Sequence, residues 1–199
     1  MSRKWKRSLQ LACGIMLCVR NAATAPTDDF LLEWHRAGKI VIGMKEADIY
    51  NIYPREITKK VDLQLEGMPT PAIQVFLTKG QTTPSLVIRL DGPRPGVSGI
   101  EVRDARFKTS DGIGVGSSLG QLRKRKKKLF ITDGEGAIVA VADDLGMSFF
   151  LLPDRQTETA YYAARRRYVG RDNPSIPDAT KITAISVHWS PERSTVPQK

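Results

Sequence analysis

Cysteine is nearly missing from this chain. Cys13 and Cys18 are the only two, and both fall in the first 25 of its 199 residues. If that leader is removed, no cysteine is left, which excludes a disulfide scaffold, a thiolate nucleophile and a cysteine metal site together. Histidine is as scarce: His35 and His188 are the only two, with no His-x-His or His-x-x-x-His spacing for a metal. Neither is expected to act as a ligand. No Gly-x-Ser-x-Gly elbow occurs, and no serine has an obvious base partner. The glycine run Gly112-Ile-Gly-Val-Gly-Ser117 lacks both the dinucleotide spacing and the Walker lysine. It reads as a tight turn into a capped helix; the alternative is a small anion on the free N–H groups of Gly116, Ser117 and Ser118. Asp143 and Asp144 are adjacent, so on a strand they would face opposite ways; a turn before Gly146 suits them better. These absences assign no catalytic residue, no metal and no cofactor. One enzymatic alternative stays open, a hydrolase whose paired carboxylates meet only in space.

The first 25 residues have the layout of a secretory signal. Arg3, Lys4, Lys6 and Arg7 form a basic head, and Leu9 to Val19 is apolar except for Gln10 and Gly14. Ala23-Thr-Ala25 supplies small residues at a cleavage site. An apolar stretch this short falls below the ~20 residues a spanning helix needs. The expectation is an exported protein, periplasmic or extracellular; a cytosolic leader is the alternative. The remainder is long enough for one sizeable core or two small units that share one.

The net charge of +10 is local. Without the leader, 26 basic residues face 21 acidic ones, and nine of the 26 lie in two runs. A global nucleic-acid-binding character is therefore not predicted.

What the chain does have is a pattern stated twice. Residues 97–104 read Val-Ser-Gly-Ile-Glu-Val-Arg-Asp, and residues 182–189 read Ile-Thr-Ala-Ile-Ser-Val-His-Trp. Upstream, Ile40-Val-Ile-Gly-Met44 matches Ile113-Gly-Val-Gly-Ser117, and Ala72-Ile-Gln-Val75 matches Ala137-Ile-Val-Ala140. Ser85 to Asp91 then matches Ser148 to Asp154. A repeat constrains architecture before any chemistry is sought.

The pattern predicts an α+β fold of two tandem repeats, each a short helix plus a four-stranded antiparallel meander. Unit one covers residues 38–108 and unit two 109–190, with a helical lead-in at 26–37 and a flexible tail at 191–199. In the lead-in, Thr27 is the expected cap, Gly38 the stop, and Phe30, Leu31 and Trp34 one apolar face. Unit one has a helix up to Pro54, then strands marked by Val61, Leu63 and Leu65, by Ile73, Val75 and Leu77, by Leu86, Ile88 and Leu90, and by Ile100 and Val102. The apolar phase then slips to Ala105 and Phe107, which suggests a β-bulge near Arg103 and Asp104. In unit two, Ser118 and Gln121 have capping-box spacing. Strands follow near 128–132, 137–143, 147–152 and 181–189. Ile185, Val187 and Trp189 are expected to face the core.

A short helix opened by a Gly-Met or Gly-Ser turn, followed by a meander and then repeated, resembles the β-lactamase-inhibitory-protein fold. Ile42-Gly-Met44 before a short helix is also similar to the opening of the small lipoproteins of outer-membrane assembly. The phrase from Thr109 to Leu122 is similar to one in bacterial envelope proteins. These resemblances imply an exported, non-enzymatic protein that binds other proteins; they carry over no functional residue.

Two features are candidates for contact with a partner. Unit two alone carries an insertion at 155–176, in which Tyr161, Tyr162, Arg165, Arg166, Arg167 and Tyr168 interleave aromatic and cationic groups. That mixture suits a protein interface, so a protein partner in the cell envelope is the leading expectation. The run Arg123, Lys124, Arg125, Lys126, Lys127 and Lys128 cannot enter a core and is expected to be exposed at a helix end. It is the candidate anion-binding stretch, an electrostatic tether to anionic lipid, cell-wall polymer or nucleic acid. The sequence leaves the oligomeric state open.

Overall fold

The computed structural model describes residues 27–65, 67–91, 95–126, 128–134, 137–152, 159, 162–163 and 176–189. The expected leader at 1–25, the tail at 191–199 and most of the insertion lie outside them.

The described chain begins with a 3-10 turn, Asp28–Phe30, and three short strands, β1 (Leu31–Glu33), β2 (Arg36–Ala37) and β3 (Ile40–Val41). Helix α1 (Glu46–Ile52) follows, then a meander of β4 (Thr58–Leu65), β5 (Met68–Val75), β6 (Leu86–Arg89) and β7 (Gly99–Val102). After β8 (Lys108–Thr109), helix α2 (Leu119–Arg125) leads a second meander. Its strands are β9 (Phe130–Gly134), β10 (Ala137–Ala142), β11 (Met147–Leu152) and β12 (Lys181–His188).

Both meanders join one eight-stranded antiparallel sheet in the order β4-β5-β6-β7-β12-β11-β10-β9. The last strand of each meander meets the other at the centre, Ile100 opposite Val187 and Val102 opposite Ile185. Residues opposite one another in antiparallel strands share a face. One face therefore carries two apolar rows across the sheet. Ile73, Ile88, Ile100, Val187, Met147 and Ala142 form the first row. Val75, Leu86, Val102, Ile185, Phe149, Ala140 and Ile131 form the second. All are buried, and each except Ala140 and Ala142 contributes about 1.5–3 kcal/mol through area removed from water. Ile49 and Tyr53 from the α1 side, and Leu119 and Leu122 from α2, belong to the same core cluster.

The two helix entries share a backbone device. Gly43 stands three residues before α1 at φ 87°, and Gly116 three before α2 at φ 84°. Gly43 N–H donates to Val97 O and Val97 N–H to Met44 O; Gly116 N–H donates to Ile182 O and Ile182 N–H to Ser117 O. The caps differ. Ser118 and Gln121 form the expected reciprocal capping box, whereas Lys45 makes no side-chain bond at the start of α1.

Three local expectations are corrected. The lead-in is not a helix. Leu31 and Leu32 pair in parallel with Lys108 and Thr109, and the chain turns at Trp34-His35, with His35 at φ 64°, so that Glu33 meets Arg36. Strand pairing with a distant segment outweighs the local helical pattern, which leaves Leu32 and Ala37 as the buried pair. Gly38 serves a close approach instead of a helix stop: a Cβ there would collide with Asp29 O. Near Arg103 there is no bulge. β7 ends at Val102, and a turn from Asp104 delivers Phe107 to the core, its N–H bonded to Asp104 O. The register shift falls instead between β11 and β12, at Phe150/Leu151. Trp189 lies beyond the end of β12 and is 46% exposed, because Gly99, the first residue of β7, already faces His188.

Candidate functional site

The second face of the sheet lies outside the core cluster and has a different chemistry. Its middle row runs Gln74, Val87, Glu101, Ser186, Ser148, Val141, Phe130. Beside it stand Ala72, Arg89, Gly99 and His188. Gly99 is where a side chain would obstruct the site, since its Cβ would collide with Arg89 Nη2. The guanidinium therefore lies across the bare strand toward His188. Toward the β9 edge the face becomes apolar, with Phe130 and Leu152 37% and 68% exposed. Met68, 64% exposed, is the corresponding apolar residue near the opposite edge.

The two histidines come together although they sit near opposite ends of the described chain. Burial, then the charge of Arg89, holds His188 below its ordinary value, against a smaller upward pull from Asp143. Burial, then His188, lowers His35. The Trp34 ring lies tilted against His35, centroids 4.3 Å apart, and occupies the space where a Cβ on Gly146 would be. Both imidazoles are thus favoured in the neutral form. The one sequence signal for this cluster is Gly99, because a glycine inside a strand marks a close approach. Motif spacing passes over it, since the two histidines stand in no recognisable spacing to it or to each other.

A second polar cluster fixes the opposite end of β6. Buried Ser85 donates to Asp104 Oδ2 at 2.9 Å, and Arg106 binds the same carboxylate through Nε and Nη2. Burial works to raise Asp104, but the Arg106 and Ser85 hydrogen bonds prevail and hold it below its usual range. Arg106 also lies over the Phe30 ring at 4.9 Å. An open depression of about 480 Å³ lies nearby, where β4 begins and β5 ends. Its lining includes Glu56, Phe76, Lys79 and Gln81, and Glu56 is its only carboxylate. Among the described residues, no group of three His, Cys, Asp or Glu is placed to hold a metal.

The glycine turn forms as expected, but its N–H groups are spent internally. Gly116 donates to Ile182 O, Ser117 to Gly114 O and Ser118 to Gln121 Oε1. The anion alternative for these three groups is therefore corrected. Asp143 and Asp144 occupy a short 3-10 turn before Gly146.

The basic run is split by the helix it closes. Leu119 and Leu122 turn inward on α2, and Arg123 and Lys126 lie along that side. Arg123 reaches Ile176 O at 3.0 Å and Asp178 Oδ1 at 2.6 Å, and Lys126 lies 3.5 Å from Asp111. Full exposure of the run is therefore corrected for these two. Lys124, Arg125 and Lys128 are exposed, and Lys127 lies outside the described residues. Of the insertion's candidates, Tyr162 is described and 38% exposed. Tyr161, Arg165, Arg166, Arg167 and Tyr168 lie outside the described residues.

No protein-family model matches the chain, and no curated protein matches it. Among solved structures it is similar to the uncharacterized protein yfeY from Escherichia coli, with TM-score 0.50 and 16% sequence identity. The match covers 80% of this chain and 97% of that one, and at this identity it speaks to the fold alone. Among the described residues, no helix is long and apolar enough to cross a membrane.

Proposed function

We propose that the chain is an exported, non-enzymatic binding module that recognises another protein of the cell envelope. The recognition surface is the second face of the sheet's β9–β12 half together with the insertion at 155–171 that leaves from β11. The observation that carries this reading is the exposure of Phe130 and Leu152 on a broad sheet face outside the core. Exposed large apolar groups beside a polar centre are the make-up of a protein interface.

The proposal includes the architecture. The two helix-plus-meander units are tandem copies related by a two-fold axis between β7 and β12. The recurring hydrogen bonds at Gly43 and Gly116 support this, because offsets of 73 and 85 residues carry one set onto the other. So does the central register: Ile100 corresponds to Ile185 and Val102 to Val187, and each stands opposite the counterpart of the other.

A pull-down from envelope extract tests the reading. Phe130→Asp with Leu152→Asp, and separately a chain with Tyr161, Tyr162 and Arg165 cut back to alanine, should each lose a partner that the parent retains with little effect of salt. The second reading is the electrostatic tether, favoured by the exposure of Lys124, Arg125 and Lys128. Retention that survives the first two variants, falls steeply with salt and disappears when these three cations become glutamate would establish the tether instead, since exposed charges are screened within about 10 Å at ~0.1 M salt. Export is tested by N-terminal sequencing from an expressing cell; an intact Met1 on a cytosolic protein refutes it.

A further inference from the structure

β4 is the outer strand of the eight-stranded sheet, and among the described residues no strand lies on its far side. Along an antiparallel strand, successive residues turn their main-chain groups to alternate sides. Phe76 N–H donates to Ile57 O, so the odd-numbered residues of β4 face β5. The prolines agree: Pro69 and Pro71 stand opposite Gln64 and Asp62, the pairs that need no N–H, and Pro71 O accepts from Leu90 on the other side. Lys60, Asp62 and Gln64 therefore turn both N–H and C=O outward, and Thr58 offers its C=O there, its N–H being held by Arg55 O in the turn before the strand. An open edge of this length is a template for another strand.

We propose that the occupant is the β4 strand of a second copy, added antiparallel across a two-fold axis with Val61 opposite Val61 of the other copy. This interface is separate from the recognition face proposed above. A two-fold perpendicular to the sheet keeps like faces together, so only residues of the same parity can meet. With Val61 at the centre, Lys60 of each copy stands opposite Asp62 of the other, and Thr58 opposite Gln64. Lys60 and Asp62 then exchange both main-chain hydrogen bonds in each of two pairs, and Gln64 N–H reaches the free C=O of Thr58. The other face brings Val61 to Val61 and lays the Lys59 stem over Leu63. The neighbouring allowed registers put Lys60 against Lys60 or Asp62 against Asp62. Lysine on an edge strand commonly repels a second strand. Here Glu46 holds Lys60 at 2.7 Å, and Asp62 two residues on makes the edge complementary to itself.

Sedimentation of the full chain in a Cys13→Ser, Cys18→Ser background tests this. The parent should show a monomer–dimer equilibrium. Lys60→Asp and Asp62→Lys should each weaken it by roughly tenfold or more, because two attractive cross-strand pairs become repulsive. Mixing the two variants should restore association, since each Asp then meets a Lys. Val61→Cys should cross-link under mild oxidation, with the facing Cα atoms about 4.5 Å apart, while Leu63→Cys should not. Circular dichroism and unchanged melting show that each variant is folded. A parent that stays monomeric up to about 1 mM overturns the proposal. So does a dimer that both charge variants leave intact, or equal cross-linking at residues 61 and 63. Capture of a synthetic peptide with the Thr58–Leu65 sequence by a monomeric parent would overturn it too, and would assign the edge to a foreign strand.

Discussion

The two halves of the sheet have the same order of elements and differ in what surrounds them. Each has a seven-residue helix, a left-handed glycine before it and a meander whose last strand reaches the centre. In the first half the outer strand, β4, is eight residues long and alternates polar with half-buried apolar groups. In the second half the outer strand, β9, is five residues long, and the chain between β11 and β12 is extended by the insertion. The shared parts are those that packing demands, and the two outer strands that differ are the edges of the sheet. Additions in loops cost little in stability and can take on separate roles.

The comparison is broken most severely in the core. Ile100→Ala and Ile185→Ala each remove a fully buried side chain from a central strand and should each cost about 2–5 kcal/mol in urea unfolding. Similar losses in one cooperative transition would show two halves that fold as one. Two separated transitions would show that they do not.

A smaller effect is expected at the helix entries. Gly43→Ala and Gly116→Ala force a Cβ into left-handed backbone and should each cost about 1–2 kcal/mol in the same unfolding measurement. No atom lies within 4 Å of where either new Cβ would stand, so strain alone sets the loss and the two values should agree. The caps should then separate the halves. Ser118→Ala loses a capping box and should cost about 1 kcal/mol, whereas Lys45→Ala should cost almost nothing.

The gentlest probe is pH. His35 and His188 are both depressed below 6.5, so the unfolded chain binds more protons than the folded one as pH drops below that value. Stability should therefore be full above about 6.5 and decline as pH falls toward the folded values. His188→Gln should flatten that decline. Asp104 responds in the same direction but lower, with stability lost below about 3.8 as its carboxylate is protonated and released from Arg106. Asp104→Asn should shrink that second step, to which Asp111 also contributes, while leaving the histidine one.

Much of the fold is legible in the sequence because its signals are local. Alternation at Val61, Leu63 and Leu65, at Ile73 and Val75, and at Leu86 and Ile88 marks β4 to β6, and the Ser118–Gln121 spacing marks the start of α2. The lead-in misleads because Phe30, Leu31 and Trp34 fit a helical face equally well, and only pairing with β8 decides between the two. The candidate site is less legible. Its members come from β6, β7, β12 and the Trp34-His35 turn, and no spacing in one segment reports their meeting.

By itself the sequence determined the alternation that marks the strands of the large sheet, the capped start of α2, that one meander pattern follows another, and that residues 26–199 carry no cysteine. Alternation, caps and composition are properties of short stretches, and they act before any long-range contact exists. The tertiary structure decided that β7 lies beside β12, that His35 comes within reach of the charge of His188, that Arg89 lies across Gly99, and that Arg123 and Lys126 turn inward to acids. Each of these depends on segments far apart in the chain. They meet only once burial of the two apolar rows has fixed the order of the strands.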